Sequence, residues 1–127
     1  MADMEAFVAG FTALGDISLL MLLVCATLGG VVIGALPGLN ATTGAALLLP
    51  FTLTMEPVAA ISVLTAIYCS ATFAGAITAI LINTPGTSAS ATTCLDGYPM
   101  AVRGEAGRAL GLAVISSTVG GVFSVAV

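Results

Sequence analysis

Three long stretches without a charged residue dominate the sequence. They are Ile17–Leu36, Val58–Thr84 and Ala109–Val127. Each is long enough to cross the hydrocarbon core of a bilayer as a helix, which takes about 20 residues. Only 6% of the residues are charged, whereas a soluble domain carries roughly 25%. We therefore expect an all-α polytopic membrane protein with about three membrane-spanning helices, at 17–36, 58–84 and 109–127.

The composition excludes several classes of function. Two basic residues are too few to neutralise nucleic-acid phosphates. The chain has no histidine, which excludes a histidine base or a histidine-ligated metal within it. Its three cysteines, Cys25, Cys69 and Cys94, are widely spaced and form no Cys-x-x-Cys pair. We predict no enzyme, no catalytic residue, no metal site and no nucleic-acid partner.

The first polar break follows the first apolar stretch. Pro37 and Gly38 interrupt a helix there, because proline lacks an N–H and glycine tolerates unusual backbone geometry. The run at 41–56 contains Pro50 and is too short to span a bilayer as a helix, which favours a re-entrant or broken segment. We therefore expect one membrane domain at 17–127.

The N-terminal residues 1–16 have a different pattern. Their apolar residues Phe7, Val8, Phe11 and Leu14 fall near helical spacing. This segment is predicted to be either a short interfacial helix or a frayed terminus, since chain ends are often poorly ordered.

The second break starts at Asn83 and is rich in small hydroxyl side chains. Pro85–Gly86 interrupts the preceding apolar stretch, and we expect an unwound break there. The break is predicted to extend over 85–108, with a turn at Asp96–Pro99. Arg103 lies in the only basic region and favours a cytoplasmic position for it.

The two breaks resemble each other. Residues 37–43 align without gaps on 85–91, with Pro, Gly and Ala matched. Broken backbone is tolerated at membrane depth only where protein or water satisfies its polar groups. Paired interruptions of this kind are typical of the binding sites of secondary transporters.

Several blocks of the sequence together resemble a known family, the large membrane subunit of the tripartite tricarboxylate transporters, or TctA family. They are Gly30–Asn40, Leu48–Pro50, Ala79–Gly86 and Asp96–Ala106. The resemblance implies a multi-pass carrier of the bacterial inner (cell) membrane, of which this chain would be the first part. It implies two partners, a small membrane subunit and a periplasmic solute-binding protein. It also implies symport, that is, uptake of carboxylates such as citrate driven by a gradient of Na⁺ or H⁺, with no other cofactor.

A buried carboxylate needs compensation, and basic residues are scarce here. Helix N-termini, hydroxyls and amides in the two breaks would supply neutral donors, and freed carbonyls would suit the coupling cation. The predicted substrate- and ion-binding residues are Pro37, Gly38, Asn40, Thr42, Thr43, Asn83, Thr84, Pro85, Gly86, Thr87, Ser88 and Ser90. Asp96 and Arg103 are possible additions, although Asp96 is better explained as a turn residue and Arg103 as an orientation determinant.

Two other classes of function compete with transport. In a non-transporting assembly or scaffold segment, the breaks would only pack, and their Ser and Thr hydroxyls would bond back to their own helices. An intramembrane enzyme is disfavoured, because the chain has no histidine and no paired intramembrane aspartates.

Overall fold

The computed structural model describes residues 2–13 and 15–127; Met1 and Leu14 of the predicted N-terminal segment lie outside the described residues. Within these ranges the chain is helical and contains no strand, which confirms the all-α fold class. The helices are α1 (Ala2–Ala13), α2 (Ile17–Gly34), α3 (Ala41–Thr52), α4 (Pro57–Ile82), α5 (Ser90–Val102) and α6 (Ala106–Ala126). Of these, α2, α4 and α6 are long and apolar enough to span a membrane.

The N-terminal segment forms helix α1. Its Phe7 and Phe11 side chains are exposed, and their rings stack with centroids 6.5 Å apart. An interfacial position for this helix stays a prediction.

Helix α4 lies at the centre of the bundle and packs against α2, α3, α5 and α6. Its buried face carries mostly small residues, with Ile67 and Ile80 as the largest fully buried side chains. The small-residue stretch 68–76 contributes Ala71 and Ala74 to this face. Small side chains let helix backbones approach closely, which is how membrane helices gain packing contacts.

Helices α2 and α4 run in parallel and meet through two glycines. A Cβ at Gly30 would lie 2.8 Å from the Ile67 carbonyl oxygen and would overlap the Ser70 hydroxyl. One turn later, a Cβ at Gly34 would lie 2.6 Å from the Ala71 Cα. The Gly30-x-x-x-Gly34 face therefore forms the close contact between α2 and α4.

Helix α3 returns antiparallel to α2. It begins immediately after Asn40, with Gly44 against the Ile33 side chain. Further along, Leu48 packs on the core cluster that includes Ala26. The first break is thus confined to 35–40, and the helix continues through Pro50 to Thr52.

The second break folds back along α4. The backbone of Gly86 lies against Gly75, which is about 10 Å before the end of α4 at about 1.5 Å per residue. Helix α5 then runs parallel to α4 and brings Gly97 against Ile80. The irregular backbone between α4 and α5 covers only 83–89.

The predicted turn at Asp96–Pro99 is wrong, because these residues lie inside α5. Gly97 continues the helix because its missing side chain fits the Ile80 contact: a Cβ there would lie 2.7 Å from Ile80 Cγ1. Pro99 stands near the helix end, three residues before Val102, where one lost hydrogen bond interrupts little of the helix.

Helix α6 runs antiparallel to α5 and α4. Gly104, with φ of 84°, makes the turn between α5 and α6, a conformation that favours glycine. Ala109, near the start of α6, is buried. Most of α6 beyond it is exposed, and only 6% of its apolar window is buried by the described residues.

Candidate functional site

A crevice of about 590 Å³ lies between α4, the start of α5 and α6. This volume falls within the roughly 300–1,000 Å³ that small-molecule sites occupy. None of the described residues that line it is charged. Its polar lining consists of hydroxyl side chains, namely Tyr68, Thr72, Thr87, Ser90, Thr93 and Ser117.

The N-terminus of α5 opens into this crevice through Thr87, Ala89 and Ser90. Thr87 and Ser90 cap the helix reciprocally: the Ser90 N–H donates to Thr87 Oγ1 at 3.2 Å, and the Thr87 N–H donates to Ser90 Oγ at 2.9 Å. This is the capping-box arrangement, with serine in the place that Glu or Gln usually holds. The turn from Thr87 to Ser90 therefore leads directly into α5.

The cap leaves donors free at the helix start. The Ser88 and Ala89 N–H groups donate to no acceptor among the described residues. A helix N-terminus carries about half a positive charge, and unpaired N–H groups there bind anions. Because Ser90 shares the crevice with Tyr68 and Thr72, this N-terminus lies beside the middle of α4 rather than at its end.

Removal of the Thr87 hydroxyl is expected to loosen this helix start. Thr87→Ala leaves the Ser90 N–H without its side-chain acceptor, and losing an N-cap costs about 1 kcal/mol of stability. Ser88→Ala is the matched control, because the exposed Ser88 side chain bonds to no described residue. Thermal unfolding in detergent should show a lower Tm for Thr87→Ala alone; equal shifts would contradict the capping role.

The residues of the first break do not line this crevice. Pro37, Gly38, Asn40 and Thr42 are exposed. Asn40 caps α3, with its Oδ1 accepting from the Thr43 N–H at 2.8 Å and the Thr43 hydroxyl at 2.9 Å. The Asn40 side chain and the Thr43 hydroxyl, which were predicted to bind substrate, therefore bond to each other at the start of α3.

The two breaks nevertheless approach each other through backbone. A Cβ at Gly86 would lie 2.8 Å from the Gly75 Cα and 3.4 Å from the Gly34 carbonyl oxygen. Gly34 ends α2, three residues before Pro37. The second break thus contacts the helix end from which the first break departs.

The remaining predicted residues lie toward the ends of α4 and α5. Asn83 ends α4 in the left-handed conformation with φ of 54°, and its side chain is exposed. The Thr84 hydroxyl donates to the Ile82 carbonyl. Pro85 and Arg103 are exposed, and Arg103 follows the last residue of α5.

Sequence reasoning missed most of the crevice lining. Tyr68 and Thr72 belong to a stretch whose polarity was visible in the sequence, but polarity alone did not show which neighbours they face. Thr93 lay in a region predicted to be unwound. Ser117 comes from α6, and its approach to α5 depends on the tertiary fold.

Comparison with known proteins identifies a matching protein family and a similar protein. The family model described as "Tripartite tricarboxylate transporter TctA family" matches residues 20–127. A protein of Agrobacterium vitis, described as an uncharacterized 52.8 kDa protein in the TAR-I ttuC' 3' region, is 49% identical over 88 residues. That match covers 69% of this chain and 18% of the relative, so the chain spans a small part of its length. No solved structure matches the chain.

Proposed function

The chain belongs to the tripartite tricarboxylate transporter TctA family, and on this basis we propose that it forms part of the membrane subunit of a secondary carrier for di- or tricarboxylates such as citrate. The carboxylate would bind at the N-terminus of α5, in the crevice between α4, α5 and α6. The family description supports the transport role.

The observation that carries the proposal is the position of the α5 N-terminus. Its unpaired N–H groups and the hydroxyls of Thr87 and Ser90 lie beside the middle of α4, at a crevice without charged residues. Discontinuous helices with N-termini at membrane depth are used by secondary transporters to hold anionic substrate groups. Neutral donors bind an anion without a permanent ion pair, which favours release on the other side.

The rest of the proposal follows from the family. The carrier would lie in the bacterial inner membrane and work with a small membrane subunit and a periplasmic solute-binding protein. Uptake would be driven by symport of Na⁺ or H⁺. The three apolar helices α2, α4 and α6 support a multi-pass membrane location.

Carboxylate uptake tests this function directly. Membrane vesicles that contain the complete subunit set with this chain should accumulate labelled citrate, or another di- or tricarboxylate, when the solute-binding protein is supplied. Accumulation should stop when ionophores collapse both the sodium and the proton gradient, because a secondary carrier has no other energy source. Vesicles without the solute-binding protein are the control. Accumulation that continues after both gradients collapse would contradict the proposal.

A scaffold role is the second candidate, and one observation favours it. Asn40 Oδ1, the Thr84 hydroxyl and the Ser90 hydroxyl all bond to their own segments, as in a break that only packs. In that case, substitutions at the α5 N-terminus would change the yield of the assembled complex and leave the substrate concentration for half-maximal uptake unchanged.

A further inference from the structure

From α2 onward, one carboxylate of the described residues stands inside a helix. Asp16 and Glu56 precede α2 and α4, and Glu105 precedes α6, where it lies 3.5 Å from Arg108. Asp96 stands in the middle of α5, where its side chain is exposed and makes no hydrogen bond or ion pair with any described residue. An acidic residue within a membrane bundle is costly and usually functional.

Asp96 lines a second crevice, of about 470 Å³, between α4, α5 and α6. Thr93 and Ser117 line the same crevice. Hydroxyls in membrane helices usually donate to a carbonyl of their own helix, as those of Thr92 and Ser116 do here. The Thr93 and Ser117 hydroxyls make no hydrogen bond of either direction within the described chain, so both their protons and their oxygen lone pairs are available to a ligand.

The two crevices adjoin, since Ala76, Thr93 and Ser117 line both. Along α5, Ser90, Thr93 and Asp96 follow at intervals of three residues, which places them on neighbouring faces of the helix. The helix therefore presents its positive N-terminus to one crevice and its single carboxylate to the next.

We propose that Asp96, with the hydroxyls of Thr93 and Ser117, binds the monovalent cation whose gradient drives uptake. The inference rests on the proposed transport function and names the coupling site within it. A carboxylate and neutral oxygens suit a hard cation, and one such cation neutralises Asp96, which lowers the penalty for a charge in the membrane. A cation held there attracts an anion at the neighbouring α5 N-terminus, so each ligand strengthens the binding of the other.

The test uses the complete transporter that contains this chain, purified and reconstituted with its partner subunits. Asp96→Asn removes the charge and keeps the shape, and Glu105→Gln is the matched control for loss of an exposed carboxylate outside both crevices. Three readouts are needed: stabilisation of the substrate-free protein by NaCl over choline chloride, gradient-driven accumulation of labelled carboxylate, and exchange of labelled for unlabelled carboxylate without a gradient.

Asp96→Asn should lose accumulation and keep exchange, whereas Glu105→Gln should keep both. If the cation is Na⁺, wild-type protein is stabilised by NaCl and the Asn variant is not. If it is H⁺, NaCl has no specific effect, and the variant loses its response to an imposed proton gradient. Accumulation by Asp96→Asn with the wild-type dependence on both gradients would overturn the proposal.

A second variant covers the case in which Asp96→Asn does not fold. Thr93→Val with Ser117→Ala removes the two neutral ligands and should raise the cation concentration for half-maximal uptake by about tenfold, the lower end of what a lost supporting contact costs at a metal site. An unchanged value would overturn the site. Wild-type protein that accumulates no carboxylate would refute the transport function instead. In that case, NaCl stabilisation that is lost on Asp96→Asn would still uphold the cation site. Stability that depends on NaCl and on pH in the same way in the wild type and in Asp96→Asn would refute it.

Discussion

Replacing Gly34 with alanine is expected to separate α2 from α4. The added methyl group would lie 2.6 Å from the Ala71 Cα and would overlap the Ala71 carbonyl oxygen. Both are backbone atoms of a buried helix, so the clash cannot be relieved by rotating a side chain. Overpacking of this kind costs about 1–3 kcal/mol, and we expect the upper end here because the helices themselves must move apart.

The same substitution at Gly29 is the control, because no atom of another described residue lies within 4 Å of its Cβ position. Alanine favours a helix over glycine by about 0.5–1 kcal/mol, so Gly29→Ala should be neutral or slightly stabilising. The two glycines lie five residues apart on α2, and each variant makes the same Gly-to-Ala change. Both variants therefore have equal hydropathy and should insert into the membrane equally. Thermal unfolding of the extracted protein is the measurement, and a Tm for Gly34→Ala at or above that of Gly29→Ala would refute the contact.

Much of the fold was predictable, because it follows from the bilayer itself. The uncharged stretches become α2, α4 and α6, since a backbone in hydrocarbon must satisfy its own hydrogen bonds. The spacing of Gly30 and Gly34 places both on one helix face, which by itself predicts that another helix can approach closely there, although it does not name the partner. These features depend on local sequence alone.

The extent of the second break was not predictable from local sequence. Gly97 and Pro99 are ordinary turn residues, and in water they would end a helix. In the structure Gly97 lies against Ile80 of α4, a contact between residues far apart in the chain. Tertiary packing therefore overrides the turn signal and keeps α5 helical.

The resemblance between the two Pro–Gly pairs also concealed a physical difference. Gly38 has φ of 94° and open space around its Cβ position, so it is needed for its backbone conformation. Gly86 is not among the glycines with positive φ, and it is needed because Gly75 lies too close for a side chain. An alignment of residue types cannot distinguish these two uses of glycine.

The largest functional loss is expected from Gly86→Ala. Its methyl group would lie 2.8 Å from the Gly75 Cα, so the second break must move away from α4 and shift the start of α5 out of the crevice. Carboxylate uptake should fall to near background. The amount of protein inserted in the membrane should stay close to that of the wild type, because insertion follows the hydropathy of α4 and α6, which the substitution does not change. Labelled carboxylate uptake, normalised to the protein in the membrane, is the measurement.

A graded series makes this prediction specific. Gly75→Ala places its methyl group 3.3 Å from the Gly86 Cα, a tighter contact than usual but one that a few tenths of an ångström relieve. It should therefore reduce uptake less than Gly86→Ala. Gly107→Ala in α6, with nothing within 4 Å, should have no effect. If the three variants transport equally, the contact between Gly86 and Gly75 does not position the substrate site. If uptake decreases in the order Gly107→Ala, Gly75→Ala, Gly86→Ala, uptake depends on how closely these two backbones approach.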